Sequence, residues 1–194
     1  MTSKPASDFS DIQYLFLDRD GVLNRKPALG QYVTRWEEFE MLPGVANAIA
    51  QLNRAGRKVI VVTNQRGIAL GLYSQDELGE IHQRLRDLLA KQEGHLEGIY
   101  VCPHDAGQCN CRKPLTGLFE QAFQHFPDAR PDNGLMVGDS LRDIEAGLRL
   151  GMRTVFIAGD TRILSHDENR AMALAQVSVT SLAELVNEYF GRRE

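Results

Sequence analysis

Apolar residues gather in short runs separated by longer amphipathic stretches. The strand-like runs are Ile12–Asp18, Lys58–Thr63, Gly98–Cys102, Gly134–Gly138 and Thr154–Ile157. Val59 to Val62 is apolar at every position, the pattern of a strand covered on both faces. Between these runs, Gly44–Ala55, Gln75–Lys91, Leu115–Phe126 and Ser140–Leu150 read as helices, and Gly56 and Gly151 stand where helices stop. Strands alternating with helices predict the α/β class: a Rossmann-like, doubly wound parallel sheet with helical crossovers. Ala158–Gln176 is polar and fits neither period; a short strand, Val177–Val179, and a terminal helix from Leu182 follow. Arg25–Glu38, the longest stretch between the first strand and a helix, is expected to cover the site as a flap.

In a parallel sheet the ligand site lies beyond the carboxyl ends of the strands. Asp18, Thr63, Cys102 and Asp139 all end or follow predicted strands, so one shared site is expected. Leu15 to Asn24 reads Leu-Phe-Leu-Asp-Arg-Asp-Gly-Val-Leu-Asn, a buried strand running into two carboxylates. Charges beside a core are costly unless paired, and a hard cation is the usual partner. If the strand persists, Asp18 and Asp20 share a face, one placed to attack an electrophile and one to move protons. Set against this is a turn with chance acids. A calcium loop counted from Asp18 would need ligands or turn residues where Val22, Leu23 and Leu29 stand, so that reading fails.

At 194 residues the chain is expected to form one domain, residues 1–194. The 43% hydrophobic and 25% charged content is that of a soluble globular protein. No apolar run is long enough to span a bilayer, and the first residues lack a signal-like segment, so a cytoplasmic location is expected. A formal charge of -4 offers no general attraction to nucleic acid. Arg19, Arg25, Lys26, Arg66, Arg112 and Lys113 nevertheless recur near the motifs, which suits a small anion.

Thr63 and Asn64 can donate to phosphate oxygens from a strand end. Lys113, in Cys111-Arg-Lys-Pro, can neutralise a nucleophile and a phosphate, although a lone Lys is more often a solvated surface charge. Asp139 and Asp143 fall on one face of a helix start, where a cap is the bland alternative for Asp139 or Ser140. All three cysteines lie with a histidine in Cys102-Pro-His104-Asp-Ala-Gly-Gln-Cys109-Asn-Cys111. An odd count and a reducing compartment argue against disulfides. Three thiolates and an imidazole, Cys102, His104, Cys109 and Cys111, make a closed structural Zn²⁺ site.

Four motifs in this order, Asp-x-Asp-Gly, the strand-end Thr, the Lys before a helix and Gly-Asp-x-x-x-Asp, resemble the haloacid-dehalogenase phosphohydrolase superfamily. With the cysteine loop and Asn64-Gln-Arg-Gly-Ile-Ala-Leu-Gly, the chain from about Tyr14 to Gly159 resembles the D-glycero-D-manno-heptose-1,7-bisphosphate 7-phosphatases. The resemblance implies the superfamily fold without a large cap domain. It implies Asp18 as nucleophile, Asp20 as acid and base, and Thr63 and Lys113 on the phosphoryl oxygens. Mg²⁺ would be held by Asp18, Asp139 and the Asp20 carbonyl. Asn24, Tyr32, Asn64, Gln65, Arg66 and Arg112 would line the substrate site, with Arg112 forking to a second phosphate. Asp143 would orient its neighbours. Arg66 stands where that family commonly has Ser, and Ser140 where some members have Lys. The implied protein is a monomer acting on a small phosphorylated sugar, with no nucleic acid or membrane partner and a product destined for lipopolysaccharide or a surface glycan. Histidinol-phosphate phosphatases share the Asp-x-Asp start, the cysteine loop and Arg-Lys-Pro, and stand as the alternative. A non-catalytic zinc-containing binding module is the second.

Overall fold

The computed structural model describes residues 9–159 and 164–191. Six strands form one parallel sheet: β1 (Tyr14–Leu17), β2 (Lys58–Asn64), β3 (Gly98–Cys102), β4 (Gly134–Gly138), β5 (Arg153–Ile157) and β6 (Val177–Val179). Their order is β3-β2-β1-β4-β5-β6, so the chain winds outward from β1 in both directions. The helices are α1 (Val45–Arg54), α2 (Gln75–Ala90), α3 (Gly117–His125), α4 (Leu141–Leu150), α5 (His166–Leu174) and α6 (Leu182–Tyr189). This is the expected doubly wound architecture.

Strand alternation assigns the two faces. Leu15, Leu17, Val59, Val61, Leu135 and Val137 pack with residues of α1, α2 and α6 in one buried cluster. Tyr14, Phe16, Ile60, Val62 and Met136 pack with Leu118, Phe119 and Ala122 of α3 in another. Because both faces are covered, β1, β2 and β4 carry unbroken apolar runs rather than alternation.

The ambiguous polar stretch holds α5. Ser165 accepts from the Glu168 backbone N–H at 3.2 Å, and the Glu168 carboxylate accepts from the Ser165 N–H at 2.8 Å. Those reciprocal bonds satisfy two end groups where an apolar stripe is weak. Residues 160–163, also within that stretch, lie outside the described residues.

One expectation changes in detail. The first strand ends at Leu17, not Asp18, so strand alternation does not aim Asp18 and Asp20. A tight turn does so. The Arg19 carbonyl accepts from Leu23 N–H at 2.8 Å, and the Asn24 carbonyl accepts from Gly21 N–H at 2.8 Å.

Candidate active site

β1 pairs in register with β2 and β4, Leu17 lying beside Val61 and Val137. The residues just past those positions therefore emerge together. A cleft of about 1150 Å³ opens there, lined by Asp18, Asp20, Lys113 and Asp139, with Lys26 and Tyr32 from the flap. Asn64, Gln65, Arg66 and Arg112 also line it.

Asp18, Asp139 and Asp143 each offer a carboxylate oxygen within a sphere of contacts no wider than 4.8 Å. Two glycines make that approach possible. A Cβ on Gly21 would come within 2.1 Å of Asp139 Oδ2, and Gly21 also sits at φ +87°. A Cβ on Gly138 would come within 2.2 Å of the Asp143 Cβ. Any side chain at either position would push a carboxylate out of place.

Lys113 answers part of the negative charge. Its buried ammonium lies 2.9 Å from Asp18 Oδ1 and 2.6 Å from Asp143 Oδ1, and donates to the Val62 carbonyl at 2.6 Å. Burial pushes Asp18 up to about 6, with Lys113 opposing and Asp143 adding to the shift. Burial likewise pushes Asp139 up to about 7, against the pull of Lys26. Carboxylates this close and this buried hold their charge poorly without a further cation.

Asp20 is held differently. Burial would raise its pKa, but the Arg19 guanidinium and amides of Asn24 and Gln65 outweigh burial and hold it below the usual range. Arg19 Nη2 reaches both Asp20 oxygens at 2.9 and 3.0 Å, Asn24 Nδ2 donates at 2.9 Å and Gln65 Nε2 at 3.0 Å. Gln65 is itself fixed: Tyr73 donates its hydroxyl to Oε1 at 2.5 Å, and Nε2 also donates to Thr63 Oγ1 at 2.9 Å.

Side-chain amides connect the strands as well. Asn64 Oδ1 accepts from the Lys113 backbone N–H at 3.0 Å, and Asn64 Nδ2 donates to the Lys113 carbonyl at 3.1 Å. Asn24, expected to line the substrate site, is fully buried outside the cleft lining and bonds Asp20 instead, while Asn64 and Gln65 line the cleft and also bond catalytic candidates directly. Tyr73 was not legible as part of the site, since nothing in Leu-Tyr-Ser points it at Gln65.

Of the six basic residues near the motifs, most already face carboxylates. Arg25 forks to Glu40 and Arg66 to Asp105, while Lys26 lies 2.8 Å from Asp139. Arg112 makes a long, 3.4 Å contact to the His104 carbonyl, acts on Asp105 electrostatically, and lines the cleft.

The cysteine loop closes one side. Cys102 Sγ lies 3.6 Å from Cys109 Sγ and 3.8 Å from His104 Nδ1; Cys111 Sγ lies 3.2 and 3.4 Å from the same two groups. A disulfide needs about 2.05 Å between sulfurs, and all three cysteines are free. Zinc–thiolate bonds of about 2.3 Å in a tetrahedron give sulfur–sulfur edges of roughly 3.8 Å, close to this spacing. Burial, then the neighbouring thiols, push Cys111 well above the ordinary thiol range, while Cys109, against burial, is held down to about 7 by its bonds to Cys111 and the loop backbone.

A parallel sheet carrying an Asp-x-Asp turn, a strand-end Thr, a buried Lys and a further acid pair defines a HAD-like hydrolase. A family model described as "HAD-hyrolase-like" matches residues 110–185. The chain is 45% identical over 132 residues to the D-glycero-alpha-D-manno-heptose-1,7-bisphosphate 7-phosphatase of Mycobacterium bovis, across 68% of this chain and 69% of that protein. It is 41% identical over 147 residues to the D-glycero-beta-D-manno-heptose-1,7-bisphosphate 7-phosphatase of Pseudomonas putida, across 75% and 82% respectively. The crystal structure of D,D-heptose 1.7-bisphosphate phosphatase from B. bronchiseptica, complexed with magnesium and phosphate, superposes with a TM-score of 0.80 at 30% identity, covering 91% of this chain and 97% of that one. The chain belongs to the D-glycero-D-manno-heptose-1,7-bisphosphate 7-phosphatase family. Among the described residues no helix is long and apolar enough to cross a membrane.

Proposed function

We propose that the protein, as a single domain spanning residues 1–194, removes the 7-phosphate of D-glycero-D-manno-heptose 1,7-bisphosphate. The convergence of Asp18, Lys113 and Asp139 on one cleft carries this reading, and the identity to curated phosphatases supplies the substrate class. Asp18 attacks phosphorus in line and forms an aspartyl phosphate. Asp20 gives a proton to the departing sugar oxygen, then takes one from the water that cleaves the intermediate. The first half-reaction needs Asp20 protonated, against the pull of Arg19, Asn24 and Gln65; the same contacts favour the ionised Asp20 that the second half-reaction needs. We assign Lys113 and the Thr63 hydroxyl, the latter buried outside the cleft lining and accepting from Gln65 Nε2, to the phosphoryl oxygens, and Arg112 to the second phosphate through a planar fork that Lys could not copy.

An all-oxygen donor set, with carboxylate oxygens of Asp18, Asp139 and Asp143 within 4.8 Å of one another, fits a hard divalent cation held by Asp18, Asp139 and the Asp20 carbonyl. Mg²⁺ bound there would neutralise phosphoryl charge and fix the in-line geometry. The sulfur-rich cluster fits Zn²⁺ in a structural role, with no open position for substrate.

The substrate is tested by comparing kcat/KM for both heptose 1,7-bisphosphate anomers with histidinol phosphate. A heptose bisphosphate is expected to lead by at least about tenfold, because a site built to pair a second phosphate rejects a ligand lacking it. A preference for histidinol phosphate would overturn the substrate and leave the chemistry intact. The Mycobacterium bovis and Pseudomonas putida relatives differ in the anomer they are named for, so the same experiment assigns it.

Metal binding should depend on pH in a defined direction. Asp18 and Asp139, raised to about 6 and about 7 by burial, must lose protons to bind a cation. Magnesium affinity is therefore expected to fall as pH drops from about 8 to about 5.5, by up to ~10-fold per unit for each proton displaced. Calorimetric titration across that range checks it, and a flat affinity would contradict the assigned ligands.

A further inference from the structure

From the flap, the Lys26 side chain reaches one of the site carboxylates. Lys26 Nζ lies 2.8 Å from Asp139 Oδ2 and 3.9 Å from Glu168 Oε1. Asp139 follows β4 and Glu168 belongs to α5, so Lys26 links three separately positioned parts of the cleft. The Lys26 side chain is 51% exposed while Asp139 is 10% exposed, so the ammonium can leave and the carboxylate cannot follow. Asp139 Oδ2 is enclosed on its other side by Gly21, whose missing Cβ leaves just enough room.

A divalent cation and an ammonium make rival claims on one nearly buried carboxylate. Two positive charges a few ångströms apart repel strongly when little water lies between them. We propose that Lys26 is a positioning residue that competes with the divalent cation for Asp139 and so couples the flap to metal binding. The proposal rests on the magnesium reading above. As the cation takes Asp139, the ammonium passes to Glu168, within reach of the long Lys side chain. The flap anchor then moves from the sheet to α5. Lys26 thereby sets how tightly the metal binds and where the flap sits over the cleft.

Direct Mn²⁺ binding to the full-length protein, measured by electron paramagnetic resonance without substrate, tests this apart from turnover. Lys26→Met keeps the aliphatic stem and removes the competitor, and is expected to bind Mn²⁺ roughly 3- to 10-fold more tightly than the wild type. Lys26→Arg, which keeps the charge, should restore affinity to within about 2-fold of the wild type. Arg142 is exposed on the same cleft, so Arg142→Met measures the loss of one positive charge without the contact. It is expected to change affinity by less than about 2-fold, since exposed charges are screened. Unchanged or weaker binding by Lys26→Met overturns the proposal, as does an equal gain in Arg142→Met. No Mn²⁺ binding by the wild type overturns the magnesium reading and this inference together; binding with an unresponsive Lys26→Met overturns this inference alone.

Discussion

Replacing Asp18 by Asn is expected to reduce phosphate release by at least ~10⁴-fold while leaving the protein folded, because the substitution removes the nucleophile and little else. The amide has nearly the shape of the carboxylate but cannot form the phosphoryl ester. Stability should not suffer. Asp18 is a buried acid with its pKa raised to about 6, so above that pH its charge is a cost to the fold that the neutral amide avoids. Lys113 would keep Asp143 at 2.6 Å, so the ammonium is not left unpaired. Steady-state phosphate release and a thermal melt on the same preparation check both halves. Wild-type-like turnover would remove Asp18 from the mechanism. Loss of activity together with loss of the folding transition would show that Asp18 holds structure instead.

Asp18, Asp20, Asp139 and Lys113 were legible because the parallel-sheet rule and local motifs point the same way. Each follows a strand or precedes a helix, and the sheet register brings those ends together. The cysteine–histidine cluster was legible from composition, since every cysteine falls within ten residues of chain. What escaped was side-chain direction. Arg19 lies between the two acids proposed as catalytic and suggests a cation for an anionic substrate, yet it is fully buried and turned onto Asp20. Arg66 suggests a phosphate contact and instead forks to Asp105 on the cysteine loop. The Arg66 orientation depends on a partner 39 residues away in the chain, which no local pattern encodes, whereas the Arg19 partner is the next residue and only burial decides that it turns there. The Asp18–Asp20 relation was expected for a wrong local reason: a turn closed on the Arg19 carbonyl does what strand alternation was expected to do.

Arg66 and Asp105 also show that the cysteine loop is wired to the cleft, and the second large effect is expected there. Cys111 directly precedes Arg112 and Lys113, and Cys102 ends β3. The Cys102 carbonyl accepts from Gln65 N–H at 2.8 Å, and Gln65 in turn holds Asp20 and Thr63. A metal joining Cys102 to Cys111 would therefore fix both the end of β3 and the approach of the chain to two cations. Lys113 has little tolerance for movement, with its ammonium between Asp18 and Asp143 and its backbone pinned by Asn64. A displacement of about 1 Å in a catalytic group can cost roughly 10²-fold in rate. Cys111→Ser is accordingly expected to lower bound zinc and cut kcat by about 10²-fold, while far-UV circular dichroism reports an intact sheet. The larger apolar cluster beneath α1, α2 and α6 contains none of the loop, so the fold has support independent of the metal. The purified protein should carry about one zinc that added Mg²⁺ does not replace, since thiolates suit the softer ion. Full phosphatase activity without zinc, in protein prepared under reducing and chelator-free conditions, would show that the four side chains cluster without a metal and that Lys113 is held by Asn64 and its carboxylates alone.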